Sequence, residues 1–315
     1  MPFVTAFYRA LGTGMVISVD SPIDDKVRSA MESLIEDYEH VLSRFRNDSL
    51  IAAIGKAEHG GSFDFPDWCA PLFDLYDALF SATSGAIDPC VGEDLIRLGY
   101  DASLSFTVTQ DAPEHLGALR GRAVWGRDVT RHGTTLVTHE PVQLDFGACG
   151  KGYLVDLLGR MLQSSQFVID AGGDLLIHAE QPISVALEDP EDQSHAIGIA
   201  HIANGALCAS APSRRHWNVA VNERTQIAIH HLLNAIDGLP AQQTEASWAY
   251  VPANATFNLA RDYPTAVADG LATALFVSDV AQLQRTFDFT YATLDESRQI
   301  AVSRNFPADL FLRSA

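Results

Sequence analysis

Two polar side chains interrupt an apolar helical segment late in the sequence. Asp269 and Thr273 stand four residues apart in AVADGLATALFV, and positions four apart share one face of a helix. A carboxylate on such a helix needs a partner when it is buried, and a hard cation such as Mg²⁺ held by oxygen ligands is one solution. The alternative is that Asp269 binds backbone N–H groups in the first turn, while Thr273 bonds a carbonyl of its own helix.

A glycine-rich stretch, LDFGACGKGYLVD, occupies residues 144–156. A strand that passes through small residues into a helix aims backbone N–H groups and the helix dipole at one point, which suits a phosphate. Lys151 adds a cation there. The spacing matches neither GxxxxGK followed by Ser or Thr nor GxGxxG followed by an acid. A tight strand-to-helix turn therefore remains open as the explanation, with Asp145 as a turn-forming acid.

Three further segments carry polar groups beside turn residues. GAIDP at residues 85–89 follows a predicted helix, and a plain turn explains it equally well. The paired glycines of DAGGD, residues 170–174, indicate a bulge in a strand or the close approach of a ligand. His230 and His231 are adjacent, and neighbours in a strand face opposite ways, so they do not easily ligate one metal together.

Helices are expected to position several of these residues. Ser21 followed by Pro22 predicts an N-cap and a first helical position. Apolar residues at three- and four-residue spacing over residues 23–45 predict one buried helix face. A second helix is predicted over residues 66–84, with Gly85 where a C-cap is expected.

The remaining segments predict an antiparallel sheet. A helix should follow the glycine-rich stretch through residue 162, and the last strong helix should cover residues 265–277. Strands come in runs and helices are segregated from them, which favours an α+β fold with mainly antiparallel sheets in a single domain, residues 1–315. Strands or runs of strands are predicted over residues 4–20, 103–141, 142–146, 167–179 and 183–232.

Composition excludes several classes of protein. The 315 residues are 47% hydrophobic, which argues against a disordered chain. Lys and Arg number 21 against 40 Asp and Glu, a formal net charge of −19 that disfavours nucleic-acid binding. Without an apolar run of eighteen residues we expect no membrane span. With no export signal in the first residues and four scattered cysteines, we expect a cytoplasmic protein with free thiols.

Six segments in order resemble those of the ApbE-like FAD:protein FMN transferases. The glycine-rich stretch is similar to the family's DLGGIAKGYAVD, and ADGLATALFV is similar to ADALATALFV. Each motif alone is weak, but six in sequence with compatible gaps are specific. The matching segments are LGTGM (11–15), LSRFRNDSLI (42–51), GAIDPCVGEDLIRLGY (85–100), LDFGACGKGYLVD (144–156), DAGGD (170–174) and ADGLATALFV (268–277).

The resemblance implies an α+β fold of the T-fold type and a reaction. The family splits FAD at its pyrophosphate and transfers FMN to a threonine of an acceptor flavoprotein, releasing AMP. It implies Mg²⁺ held by Asp269, Thr273 and the main-chain oxygen of Ala148. Mg²⁺ and a lysine would supply the positive field that the acidic chain lacks. The residues that fall where the family holds FAD are Leu11, Phe45, Ala86, Ile87, Asp88, Asp145, Lys151 and Leu233.

Two segments depart from the family pattern. The family's HIIDPxTGxP corresponds to residues 231–240, which keep the histidine, glycine and proline but lose the Asp-Pro pair. A TSG segment corresponds to Ala-Ser-Ala at residues 209–211. We expect slower transfer with FAD binding preserved, and His231 as the candidate base for the threonine proton. The alternatives are an FAD pyrophosphatase, in which water replaces threonine, and a non-catalytic FAD-binding protein.

Overall fold

The computed structural model describes residues 1–222 and 225–311, without the side chains of residues 220–227. It confirms the predicted α+β class with mainly antiparallel sheets. The helices are α1 (Asp25–Leu42), α2 (Leu50–Lys56), α3 (Ala70–Ala82), α4 (Gly92–Arg97), α5 (Ala112–His115), α6 (Gly150–Gly159), α7 (Asn258–Asp262), α8 (Pro264–Ala274) and α9 (Val280–Leu283). The strands are β1 (Phe3–Ala10), β2 (Thr13–Val19), β3 (Gly61–Asp64), β4 (Val129–His132), β5 (Thr135–Thr138), β6 (Phe167–Asp170), β7 (Asp174–Glu188), β8 (Ala196–Ser210), β9 (His216–Asn222), β10 (Thr225–His230), β11 (Leu233–Asn234), β12 (Leu239–Pro240), β13 (Thr244–Pro252), β14 (Thr290–Asp295), β15 (Ile300–Val302) and β16 (Ala308–Leu310).

One antiparallel sheet runs through the described part of the chain. Its strand order is β1-β2-β6-β7-β8-β13-β14-β15, and β16 pairs with β8. Successive side chains on a strand point to opposite sides, and those on both faces of this sheet are buried, in two separate cores. On β8, Ala206 and Cys208 join the larger core under the helices, whereas Leu207 joins a second core. On β13, Ala249 and Trp248 divide in the same way.

Helices α6 and α8 lie together against the first face of this sheet. Helix α8 is buried along its length and packs on both α6 and strands β8 and β13. The Ser247 hydroxyl of β13 donates to the carbonyl of Ala272 at 2.6 Å. From the other side, the Tyr38 hydroxyl of α1 donates to the carbonyl of Gly150 at 2.7 Å. The two helices are therefore fixed between the sheet and α1.

Four local predictions are wrong. Helix α1 begins at Asp25 because Asp24 is the N-cap and accepts from the Lys26 N–H at 2.7 Å; the hydroxyl of Ser21 bonds to Asp20 instead. Residues 142–146 form no strand, and the Asp145 N–H donates to the Pro89 carbonyl at 2.7 Å outside any ladder. In the run 103–141, β4 and β5 are the strands that form, and they pair with β3 in a small sheet. The single strand with a bulge predicted over 167–179 is wrong, because the glycines of DAGGD form the turn of a β6–β7 hairpin, with φ of +70° at Gly172 and +110° at Gly173.

Other predictions are confirmed with small changes of boundary. Helix α3 ends before Gly85, whose φ is +89° and whose N–H donates to the Phe80 carbonyl at 2.8 Å. The strand run over 183–232 is present, although residues 223–224 within it lie outside the described residues. Among the residues that the structure describes, no helix is long and apolar enough to cross a membrane.

Candidate functional site

The glycine-rich turn starts α6 and brings it into backbone contact with α8. A Cβ at Gly152 would lie 2.3 Å from the carbonyl oxygen of Thr265, so this position accepts only glycine at the present helix spacing. The Gly152 N–H donates to Oδ2 of Asp269 at 2.9 Å. Asp269 is 4% exposed, and this burial raises the pKa of its carboxyl well above the usual value. A cation beside Asp269 would favour its ionised form.

Thr273 lies one turn after Asp269 on α8 and reaches the turn before α6. Its Oγ1 donates to the main-chain oxygen of Ala148 at 3.4 Å. The structure therefore brings together the three residues that the sequence suggested as metal ligands. Their oxygens are a carboxylate, a hydroxyl and a carbonyl.

Lys151, whose side chain is 30% exposed, forms an ion pair with the buried Asp174 beside Asp269. The ammonium of Lys151 bonds to Oδ2 of Asp174, whose side chain is fully buried at the start of β7. Burial alone would lower the pKa of Lys151, but the carboxylates of Asp174 and Asp269 raise it above its usual value. Two buried carboxylates thus share one ammonium, which leaves a deficit of positive charge.

These residues fit a hard cation such as Mg²⁺. Oδ1 of Asp174 is buried without a hydrogen-bond partner among the described residues. Oxygens bound to one Mg²⁺ at right angles are about 3 Å apart, close to the 3.4 Å between Thr273 Oγ1 and the Ala148 oxygen. In the described ranges, no group of three or more His, Cys, Asp or Glu side chains is arranged to hold a metal. A metal at this junction would therefore use hydroxyl and main-chain oxygens as well as carboxylates.

Asp145 is already paired with a buried arginine. Arg44 donates to Oδ2 of Asp145, and the Gly147 N–H donates to Oδ1 at 2.6 Å. The Arg44 guanidinium lies 4.2 Å from the ring centroid of Phe45 and 4.6 Å from that of Tyr100. Phe45 remains 41% exposed, so a planar ligand ring can reach it.

Four of the predicted FAD residues lie in turns of the chain, and the turn that ends at Pro89 adjoins Asp145, whose N–H donates to the Pro89 carbonyl at 2.7 Å. Leu11, with φ of +53°, begins the β1–β2 turn and donates its N–H to Glu39 at 2.7 Å. The side chains of Ala86 and Ile87 are buried. Asp88 is also buried, and it accepts from the Cys90 N–H at 2.8 Å, so its carboxylate supports the loop itself.

His231 follows β10, and its ring lies 6.4 Å from that of Tyr100, one of the two aromatic rings beside Arg44. Its Nδ1 is 3.2 Å from the carbonyl of Arg215, which can only accept, so Nδ1 carries the hydrogen and Nε2 keeps its lone pair. Burial lowers the pKa of His231 to about 4. The histidine is therefore neutral at pH 7, with a free acceptor nitrogen.

The departing segment 231–240 forms a short hairpin next to the end of α8. Leu233 is buried and pairs with Pro240. A cavity of about 320 Å³ lies between this hairpin and the residues after α8. It is lined by Asn234, Asp237, Leu239, Pro240, Ala241, Gln242, Phe276 and Val277.

Sequence reasoning missed three residues of this site. Arg44 and Asp174 were inside quoted motifs, but their partners are 101 and 23 residues away, and no local pattern pairs them. Asp156 closes the glycine-rich motif and is fully buried against α8. Its signal was available: an acid follows four residues after Gly152 on an otherwise apolar helix.

The fold and the site together define an α+β protein in which the glycine-rich turn, Lys151 and two buried carboxylates meet where α6 and α8 cross. The sequence model of the ApbE family matches residues 11–293. The chain belongs to the ApbE family.

Two curated relatives are named FAD:protein FMN transferase, and two similar solved structures are named ApbE. The chain is 23% identical over 274 residues to an FAD:protein FMN transferase of Klebsiella pneumoniae, covering 83% of this chain and 74% of that protein. It is 27% identical over 286 residues to one of Treponema pallidum, covering 80% and 72%. The crystal structure of the ApbE protein from Thermotoga maritima superposes with a TM-score of 0.77 at 19% identity, over 98% of this chain and 99% of that one. For the flavin transferase ApbE from Vibrio cholerae the TM-score is 0.76 at 18% identity, over 96% and 97%.

Proposed function

We propose that this chain is a single-domain FAD:protein FMN transferase that uses Mg²⁺ and acts on a threonine of a flavoprotein. The observation that supports this most directly is the junction of α6 and α8. There Ala148, Asp269 and Thr273 present three oxygens beside the Lys151–Asp174 pair. The names of the relatives supply the reaction class.

In the proposed reaction the threonine oxygen attacks the phosphorus of the FMN half of FAD. A phosphoester bond to threonine forms, the pyrophosphate P–O bond breaks, and AMP leaves with the electron pair. Mg²⁺ held by Asp269, Thr273 and Ala148 would neutralise charge on the phosphates. Lys151 keeps two further N–H donors for a phosphate oxygen after bonding Asp174.

The remaining residues bind and orient the two reactants. His231 accepts the threonine proton at Nε2, the nitrogen that its bond to Arg215 leaves free. Leu11, Phe45, Ala86, Ile87, Asp88, Asp145 and Leu233 hold FAD, with Phe45 offering an exposed ring face. We place the protein in the cytoplasm, because its four cysteines are buried free thiols suited to a reducing compartment.

The test is incubation with FAD, MgCl₂ and a candidate acceptor flavoprotein, followed by intact-mass analysis and measurement of AMP. A transferase adds the mass of FMN less one water to the acceptor. AMP release with no gain in acceptor mass indicates the pyrophosphatase, and FAD binding without AMP indicates a non-catalytic protein. Asp269→Asn can still accept from the Gly152 N–H and serves as the folded variant that should lose Mg²⁺-dependent cleavage.

A further inference from the structure

The start of α8 is capped by a side chain from α6. Oδ1 of Asp156 accepts from the Thr265 N–H at 3.1 Å, and Oδ2 accepts from the Ala266 N–H at 2.8 Å. Asp156 is 3% exposed. Tyr263, the residue at the N-cap of α8, supplies no side-chain hydrogen bond. The free N–H groups of a helix start need such acceptors when they are buried.

Asp156 and Gly152 lie four residues apart on α6 and therefore face the same neighbour. Gly152 touches the Thr265 backbone and donates to Asp269, one turn further along α8. Helix α8 is thus attached to α6 at two successive turns. One more turn along, Thr273 reaches the Ala148 oxygen.

We propose that Asp156 is a positioning residue that fixes the rotation and axial position of α8, so that Asp269 and Thr273 face Ala148. This rests on the proposed function, because it assigns the aligned oxygens to Mg²⁺ and the nucleotide. Asp156 itself lies at the other end of the α6–α8 contact, where it accepts from the backbone N–H groups of Thr265 and Ala266. Its effect on the site passes through α8.

The carboxylate is suited to this position because it offers an acceptor on each of two oxygens. An asparagine offers one acceptor oxygen and turns an NH₂ group toward the second N–H. Asp156→Asn therefore keeps the volume and loses one of the two bonds. The NH₂ group of the asparagine and the backbone N–H that it faces repel each other. A small rotation of α8 about its axis relieves this repulsion and moves Asp269 and Thr273 with the helix.

The experiment compares Asp156→Asn with Asp24→Ala, which removes the N-cap bond of the distant helix α1. Binding is measured without turnover, as the rise of the melting temperature with MgCl₂ concentration. We expect the MgCl₂ concentration for half of that rise to increase about tenfold or more in Asp156→Asn. In Asp24→Ala the melting temperature falls, but this concentration stays at the parent value. Steady-state kinetics should show the same increase in the KM for Mg²⁺.

If the MgCl₂ concentration for half of the rise in melting temperature is the same in Asp156→Asn and in the parent, the positioning role is overturned. If Asp156→Asn does not fold, Asp156→Ser keeps one acceptor in a smaller side chain and is judged by the same criterion. Failure of the proposed function has a different signature, since the parent itself would then show neither Mg²⁺-dependent stabilisation nor AMP release. That result overturns both proposals.

Discussion

At the scale of single residues, the site contains two buried carboxyl groups, Asp174 and Asp269, and one ammonium group, that of Lys151. Asp174 and Asp269 are buried on either side of Lys151, and the described residues place no second ammonium or guanidinium on them. Removing one partner of a buried ion pair leaves the other uncompensated, which costs far more than the pair contributes. We therefore expect Lys151 to have two separable roles, one in stability and one in the proposed binding of the nucleotide.

A double-mutant cycle separates these roles. Lys151→Ala should lower the free energy of unfolding by about 3 kcal/mol, because the Asp174 carboxylate stays buried and unpaired. Adding Asp174→Asn should restore most of that stability while FAD affinity stays low. Urea unfolding and FAD titration measure the two effects, and Lys26→Ala, an exposed lysine, is the control for net charge. A Lys151→Ala variant that binds FAD as tightly as Lys26→Ala contradicts the phosphate role.

His231 gives a prediction for the pH profile. Burial depresses its pKa to about 4, opposed by its bond to the Arg215 carbonyl and by the charge of Asp145, with His230 and Lys151 acting in the same direction as burial. The neutral form therefore persists as the pH falls from 7 to 5. We expect FMN transfer by the parent to show no loss attributable to a group of pKa 6.5 in that range.

The matched variant is His231→Ala. Loss of a general base lowers kcat by about 10² or more, whereas KM for FAD should change little. A parent profile that halves near pH 6.5, at saturating FAD, is inconsistent with a buried neutral histidine as the base.

At the scale of elements, the hairpin over 231–240 contains a backbone hydrogen bond that a proline at position 235 would remove. The Ala235 N–H donates to the Ala86 carbonyl at 3.0 Å, a bond that proline cannot make. The Asn234 side chain accepts from the Ile236 N–H at 3.0 Å, which an aspartate can also do. The hairpin is thus joined to the 85–89 segment by its backbone.

Single substitutions test this account of the hairpin. Ala235→Pro should lower the free energy of unfolding by about 1 kcal/mol or more, because it leaves the buried Ala86 carbonyl without its donor. Asn234→Asp should stay within about 0.5 kcal/mol of the parent. Chemical denaturation measures both changes. Equal stability of the two variants would show that the Ala235–Ala86 bond contributes nothing.

Helix positions and the mixed fold were predictable because periodicity and caps are local signals. Gly85 marked the end of α3, and the glycines of DAGGD marked a break that proved to be a hairpin turn. The start of α1 was misplaced because Ser21 and Asp24 are both good caps, and tertiary contacts decide between them. Arg44 with Asp145 was out of reach, since that pair depends on packing across 101 residues.

At the scale of the whole molecule, the net charge of −19 opposes the approach of FAD, whose pyrophosphate is anionic. The Debye length falls from about 30 Å at 10 mM salt to about 8 Å at 150 mM. We therefore expect the association rate constant of FAD to rise with NaCl over this range. Stopped-flow flavin fluorescence measures it, with neutral riboflavin as the control. A rate that falls with salt would show that the local field of Lys151 dominates the long-range field.

The glycine at position 152 also has a consequence for ion size. Ordinary contact between a Cβ and its neighbours begins near 3.4 Å, whereas a Cβ here would meet the Thr265 oxygen at 2.3 Å. Any side chain at this position must therefore spread the two helices by about 1 Å, the difference between those distances. The oxygens of Ala148 and Thr273 stand on opposite sides of that gap. If the proposed cation site is correct, the distance between the helices limits the size of the ion that fits. Gly152→Ala should then shift the preference from small cations such as Mg²⁺ toward larger ones such as Ca²⁺, measured as the rise of the melting temperature with each chloride salt.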